Sequence, residues 1–108
     1  MMVKVNEVPM EENTIETNES IRILILESGQ RLISKVEEVV ADIGEPDCKL
    51  EDPYLIRYNE LTNSITLEQW LSDVSDQQIF LICSDKILTV IEYPKSIILK
   101  KYKSLIKK

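Results

Sequence analysis

The chemistry open to this chain is limited first by what it lacks. None of its 108 residues is a histidine, which removes the commonest general acid-base group and the commonest metal ligand together. Cys48 and Cys83 stand far apart with no second pair, so no zinc ligand set can be built from them. In a reducing compartment they read as small buried hydrophobes with free thiols. Carboxylates are plentiful, with Glu37 beside Glu38, Asp47 near Glu51 and Asp52, and Glu11 beside Glu12. Such pairs can do acid-base work. Among 19 acidic residues they also arise by chance, and they read as solvated surface. Asp42, Glu45, Asp47, Glu51 and Asp52 offer oxygens for calcium but lack the alternating spacing around a central glycine. Gly29 and Gly44 are isolated, so no loop cradles a phosphate. These residues predict no enzyme, no metal site and no cofactor.

Two features could recognise a polyanion. The net charge of -6 hides an asymmetry, because Lys95, Lys100, Lys101, Lys103, Lys107 and Lys108 close the chain with no acid among them. Binding to a phosphate backbone draws on such a patch, and the plainer reading is a solvated helix face. Trp70, Tyr54, Tyr58, Tyr93 and Tyr102 can stack on bases or fill a core and its interfaces.

The elements that position these groups follow from patterning. No apolar run approaches the ~20 residues of a membrane span, and the acidic start lacks the pattern of a signal peptide. The chain is expected to be cytoplasmic and to make no membrane contact. Residues 1–19 are polar, unpatterned and glutamate-rich and predict a flexible acidic arm. The block Ile21–Leu26 is apolar on both faces, which predicts a strand buried on both sides, and Ser28-Gly29 supplies a turn. Residues 31–43 fit two patterns. Leu32, Val36, Val39, Val40 and Ile43 have helical spacing ahead of Gly44, whereas the β-branched residues favour a long strand. Strand is the reading adopted. Residues 44–53 read as a loop, 54–58 and 65–71 as strands, and Ile79–Ile82 with Ile87–Ile91 as two short strands about Ser84-Asp85-Lys86. After Pro94, the apolar stripe Ile98, Tyr102, Leu105 and Ile106 predicts an amphipathic helix. The expected organisation is an arm at 1–19, a β domain at 20–93 and a lysine-rich helix at 94–108.

The run Leu24-Ile25-Leu26-Glu27-Ser28-Gly29 resembles the first strand and turn of the Sm-like family of ring-forming RNA-binding proteins. Leu32 to Val40 is similar to that family's long, bent second strand, with Ser34 where a glycine is usual, and Tyr54-Leu55-Ile56 falls at the third strand. Phe80-Leu81-Ile82 and Ile87-Leu88-Thr89-Val90-Ile91 around Ser84-Asp85-Lys86 resemble the family's last hairpin. Tyr54 stands near the family's base-reading asparagine, and Cys83-Ser84 stands where an arginine-glycine pair is usual. Composition and the helical tail are similar to the divergent Sm-like proteins of marine bacteriophages. The resemblance implies a small, strongly bent five-stranded β-barrel with a C-terminal helix. It also implies a homo-oligomeric ring that closes by pairing the last two strands between neighbours. Its ligand would be single-stranded RNA, or less favourably DNA, in phage or host RNA processing. Lys49 and Lys86 would then supply cationic contacts from two pocket loops, those holding Cys48 and Cys83, with Tyr54 stacking on a base. The acidic body leaves a second reading open, a structural or protein-interaction ring that binds no nucleic acid.

Overall fold

The computed structural model describes residues 20–106; the expected arm at 1–19 and the last two lysines lie outside them. Among the described residues the chain is mainly β, with one C-terminal helix. Its strands are β1 (Ile21–Leu26), β2 (Arg31–Glu38), β3 (Cys48–Asn59), β4 (Ser64–Gln69), β5 (Ile79–Ile82) and β6 (Ile87–Ile91), and they precede helix α1 (Ser96–Ile106). All six belong to one antiparallel sheet in the order β4-β3-β2-β1-β6, with β5 also on β3. The sheet is open and is not closed into a barrel.

β1 buries both faces, as its patterning predicts. Ile21 and Ile23 enter one core with Ile33, Ile56, Ile98 and Tyr102. Leu24 and Leu26 enter the other with Leu32, Cys48, Leu50 and Phe80. At the turn to β2, Gly29 takes a φ of +92° and its N–H donates to the Leu26 carbonyl at 2.8 Å, a conformation that a side chain would strain. Residues 31–38 are strand and not helix. The competing helical stripe would have included Val40 and Ile43, and both are fully exposed. Leu32, Ile33 and Ser34 are buried in succession, which a strand between two cores accommodates and a one-faced helix does not.

β3 begins at Cys48, so the loop expected over 44–53 ends earlier than the sequence suggests. Pro53, which falls in that expected loop, sits inside a strand at a bulge. Ile33 pairs with Tyr54 and Lys35 with Glu51, which sets Asp52 and Pro53 against the single residue Ser34. Asp52 has a φ of +55°. The extra residue reverses the alternation. Cys48 and Leu50 face the Phe80 core, whereas Tyr54 and Ile56 face the helix. The bulge also divides the strand's outer edge, with β5 on residues 48–51 and β4 on residues 54–59. Buried Ser34 lies against it, its hydroxyl 2.9 Å from the Lys35 carbonyl and 3.1 Å from that of Glu51.

Helix α1 covers the core on the other side through Ile98 and Tyr102, with Leu99 and Ile106 packed beside them. Leu105, assigned to the stripe, is 39% exposed, and Leu99 takes its place. The Tyr102 hydroxyl donates toward the Asp52 carbonyl at 2.9 Å and lies 3.3 Å from that of Glu51. It therefore ties the helix to the bulge. Burial first, and then the Asp52 carboxylate, pushes the Tyr102 phenol far above its ordinary value of 10.

Candidate functional site

The three residues proposed from sequence do not converge. Lys49 lies in β3 between Glu37 of β2 and Leu81 of β5, with its Nζ 3.3 Å from the Glu37 carboxylate. Lys86 ends a 3-10 turn at Ser84–Lys86. Its Nζ is 3.5 Å from Glu27, and its carbonyl accepts the Glu27 N–H at 2.8 Å. Tyr54 lies past the bulge, packed on the helix-side core, its ring edge-on to Tyr102 at 5.8 Å and 83°. Burial, and then Asp52, pushes its phenol above the ordinary value. Tyr54 and Lys49 line different cavities. Each lysine already has a carboxylate neighbour, and the tyrosine is part of the packing.

The two loops expected to share a pocket do meet. The ladder sets Cys48 opposite Ile82, so Cys83 follows one residue on, and both thiols are free. Burial, then the carboxylates of Asp47 and Glu38, pushes the Cys48 thiol up. The contact between the loops is one that sequence reasoning missed. The Ser84 N–H and hydroxyl donate to the two Asp47 carboxylate oxygens at 2.7 and 2.8 Å. These bonds hold the Asp47 carboxyl below its ordinary range. The cavity at this clasp is lined by Gly44, Glu45, Asp47, Cys83, Ser84 and Asp85. Three carboxylates and no cation make it a poor receptor for phosphate. The only sequence signal for the clasp was an aspartate and a serine in loops flanking paired strands, a pattern too common to single out.

The more informative feature is the pair of edges at β5 and β6. β5 and β6 are separated by one short turn yet do not pair with each other; β5 lies on β3 and β6 on β1. The last hairpin expected from the sequence is therefore split across the fold, and among the described residues each strand keeps one unpaired side. The hydrogen-bond phase says which residues face outward. In an antiparallel ladder, residues alternate between bonding one neighbour and the other. Glu51 directs its carbonyl toward Ser34 and Tyr102, away from β5, and the Asp52 N–H bonds the Gln78 carbonyl at 2.7 Å. Phe80 and Ile82 thus bond β3, leaving the polar groups of Ile79 and Leu81 outward. The Ile79 carbonyl accepts the Gln77 side-chain amide at 2.8 Å, as an outward carbonyl can. On β1, the Leu26 N–H bonds Gln30 in the β2 direction, so Ile23 and Ile25 bond β6 through Ile91 and Thr89. Val90 then faces outward.

Both edges are apolar where they are open. Ile79 is 50%, Leu81 58%, Leu88 65% and Val90 48% exposed. Beside β6 runs a groove of about 580 Å³ lined by Leu24, Val36, Cys48, Ile87 and Val90. Arg22 and Glu92 also line it, as do Glu38, Asp47 and Ser84. An exposed apolar strand edge of this kind is a template for pairing with another chain. No helix among the described residues is long and apolar enough to cross a membrane.

An open antiparallel sheet with a helix across one face and with β5 and β6 each unpaired on one apolar side among the described residues, besides the outer side of β4, thus defines the architecture. Residues 19–107 match the family of unknown function DUF6561, and since that spans most of the chain, the protein belongs to this family. No curated protein matches it.

Proposed function

We propose that this protein is a self-assembling Sm-like interaction module, in which the β6 edge of one copy pairs with the β5 edge of the next. The observation that carries this reading is the split of β5 from β6 onto opposite edges of one sheet, each edge bearing exposed aliphatic side chains. Since the two edges differ, the contact is heterologous, and repeating it closes a ring when the rotation allows. Closure satisfies both edges at once and completes the bent barrel that a single copy leaves open. Leu81→Pro tests this directly. It removes an outward N–H while Phe80 and Ile82 keep the ladder to β3, and proline cannot donate to an incoming strand. Light scattering should report the protomer mass for this variant and a multiple of it for the wild type, with β-rich circular dichroism in both. A Leu81→Pro protein that assembles like the wild type overturns the reading.

Nucleic acid as the ligand of such a ring is the second reading, and one feature favours it. Lys95, Lys100 and Lys101 are exposed on or next to α1. In a ring every copy would present them on the same rim. Labelled single-stranded RNA and DNA, titrated at low and high salt, test it. Each phosphate contact should steepen the fall of log affinity with log salt by about 0.7. Lys100→Glu with Lys101→Glu should abolish binding and leave assembly intact. No binding by the wild type at low salt leaves the interaction module alone.

A further inference from the structure

β4 leaves β3 at the Gln69–Tyr54 pair, and β5 rejoins it at the Ile79–Glu51 pair. Residues 70–78 must therefore bow out across the bulge that separates the two. Both ends of this connection are fastened to the bulge. The Trp70 N–H donates to the Pro53 carbonyl at 3.0 Å, and the Asp52 N–H donates to the Gln78 carbonyl at 2.7 Å. Between those bonds lies an open cavity of about 180 Å³. Asp52, Tyr54 and Trp70 line it half-buried, and Phe80 lines it from the core. The Trp70 ring rests on Phe80 at 5.3 Å, and its N–H is directed at the Gln30 side-chain carbonyl 3.4 Å away. The indole is thus braced from two sides before any ligand arrives.

The charge of the cavity selects its ligand. Asp52 and the exposed Asp76 line it, and no lysine or arginine does. The ion pairs among the described residues are Lys49–Glu37, Arg57–Glu68 and Lys86–Glu27, and neither aspartate is in one. The Asp52 carboxylate lies close enough to the Tyr54 phenol to help push it up. The remaining polar walls include Gln69, Gln77 and Gln78, whose amides are neutral and can accept as well as donate. Such a site repels phosphate, and its electron-rich rings and free carboxylates attract a cation. Among organic cations a guanidinium suits it better than an ammonium. It is planar, so it can lie on an indole while its N–H groups reach a carboxylate, and it is less strongly hydrated. We propose that this cavity is a receptor for a guanidinium group, with Trp70 as the stacking platform and Asp52 and Asp76 as the anionic partners. The group would be the head of an arginine side chain or of a free guanidino compound. The cavity uses none of the outward backbone groups of β5 and β6, so this proposal goes beyond the assembly and is tested apart from it.

Trp70 is the single tryptophan of the chain, which makes its emission a built-in reporter. The full chain is titrated at fixed ionic strength with N-acetylarginine amide, with its citrulline counterpart, which is neutral and of the same shape, and with its lysine counterpart. Calorimetry provides a second readout. The arginine compound should give a saturable change in the millimolar range, with the other two at least about tenfold weaker. Asp52→Asn together with Asp76→Asn should weaken arginine binding by about tenfold or more. Asparagine keeps the shape of aspartate and tolerates the φ of +55° at residue 52, and circular dichroism checks the fold of the variant. Agmatine, which carries the same head without the peptide groups, separates the two sources. Tighter binding than the arginine compound assigns the site to a free guanidino compound, and weaker binding assigns it to an arginine of a protein. No saturable change with the arginine compound or agmatine overturns the site, whatever the assembly state. Equal binding of citrulline overturns the cationic ligand, and equal binding of lysine overturns the guanidinium. Undiminished arginine binding by the folded double variant overturns the role of the two aspartates.

Discussion

Replacing Tyr102 with phenylalanine isolates the bond that ties the helix to the β3 bulge. The ring is fully buried, and phenylalanine keeps its shape and its edge-on contact with Tyr54, so the change removes one hydroxyl and little packing. That hydroxyl serves the Asp52 carbonyl at 2.9 Å. The Glu51 carbonyl, 3.3 Å away, keeps the Ser34 hydroxyl as a second donor. One carbonyl is therefore orphaned, which predicts a loss of about 1–2 kcal/mol. Tyr102→Ala adds a cavity between helix and sheet and should cost about 3–5 kcal/mol. Urea denaturation followed by circular dichroism at fixed protein concentration measures both, with the slope unchanged for the phenylalanine variant. The same pair also predicts a pH dependence. Because the folded-state pKa of Tyr102 is raised above its ordinary value of 10, its contribution is complete below pH 10. It is lost as pH rises, since the unfolded phenol ionises first. Tyr102→Phe should flatten that alkaline loss. A phenylalanine variant as stable as the wild type, with an unchanged alkaline profile, would refute the role of this bond in holding the bulge.

Ser84→Ala should return the Asp47 carboxyl toward its ordinary value, read by NMR titration. In the wild type the depressed folded-state pKa gives a contribution present at neutral pH and lost as pH falls through the acid range; the variant should keep part of it, because the backbone N–H of residue 84 still donates to Asp47. Gly29→Ala meets open space but a φ of +92°, so a conformational cost of about 1 kcal/mol is expected in thermal unfolding. Phe80→Ala removes the ring that packs on Trp70 at 5.3 Å. It should cost about 3–5 kcal/mol and shift the emission of the single tryptophan to the red.

The strands were legible wherever both faces carry information. β1 announced its double burial through aliphatic residues at every position but Arg22. Periodicity at β2 instead favours a helix, and only the missing N-cap spacing and the Sm-like resemblance pointed to the strand whose two buried faces the fold shows. The first half of β3 was not legible. Asp52-Pro53 has the local chemistry of a turn, and only the pairing of Glu51 with Lys35 and of Tyr54 with Ile33 makes it a bulge within a strand. Proline is tolerated there because the ladder is already interrupted. The helix was legible from its stripe, but the choice between Leu99 and Leu105 depends on how α1 sits on the sheet. The candidate site was read least well. Turn-forming residues put Lys49 and Lys86 in loops and the Sm-like resemblance implied that those loops meet a ligand, whereas the fold gives each lysine a carboxylate neighbour, Glu37 for one and Glu27 for the other. The strand edges were visible as apolar runs, but which backbone groups face outward is a property of the ladder, which no local pattern encodes.

The central claim, a closed assembly through β5 and β6, is tested most directly by the molar mass of the wild-type chain in solution, measured by light scattering across a dilution series. A closed ring predicts one mass, a whole-number multiple of the 12.5 kDa protomer, that stays constant over the micromolar range. A folded protomer at micromolar concentration, or a mass that keeps growing as concentration rises, would contradict it.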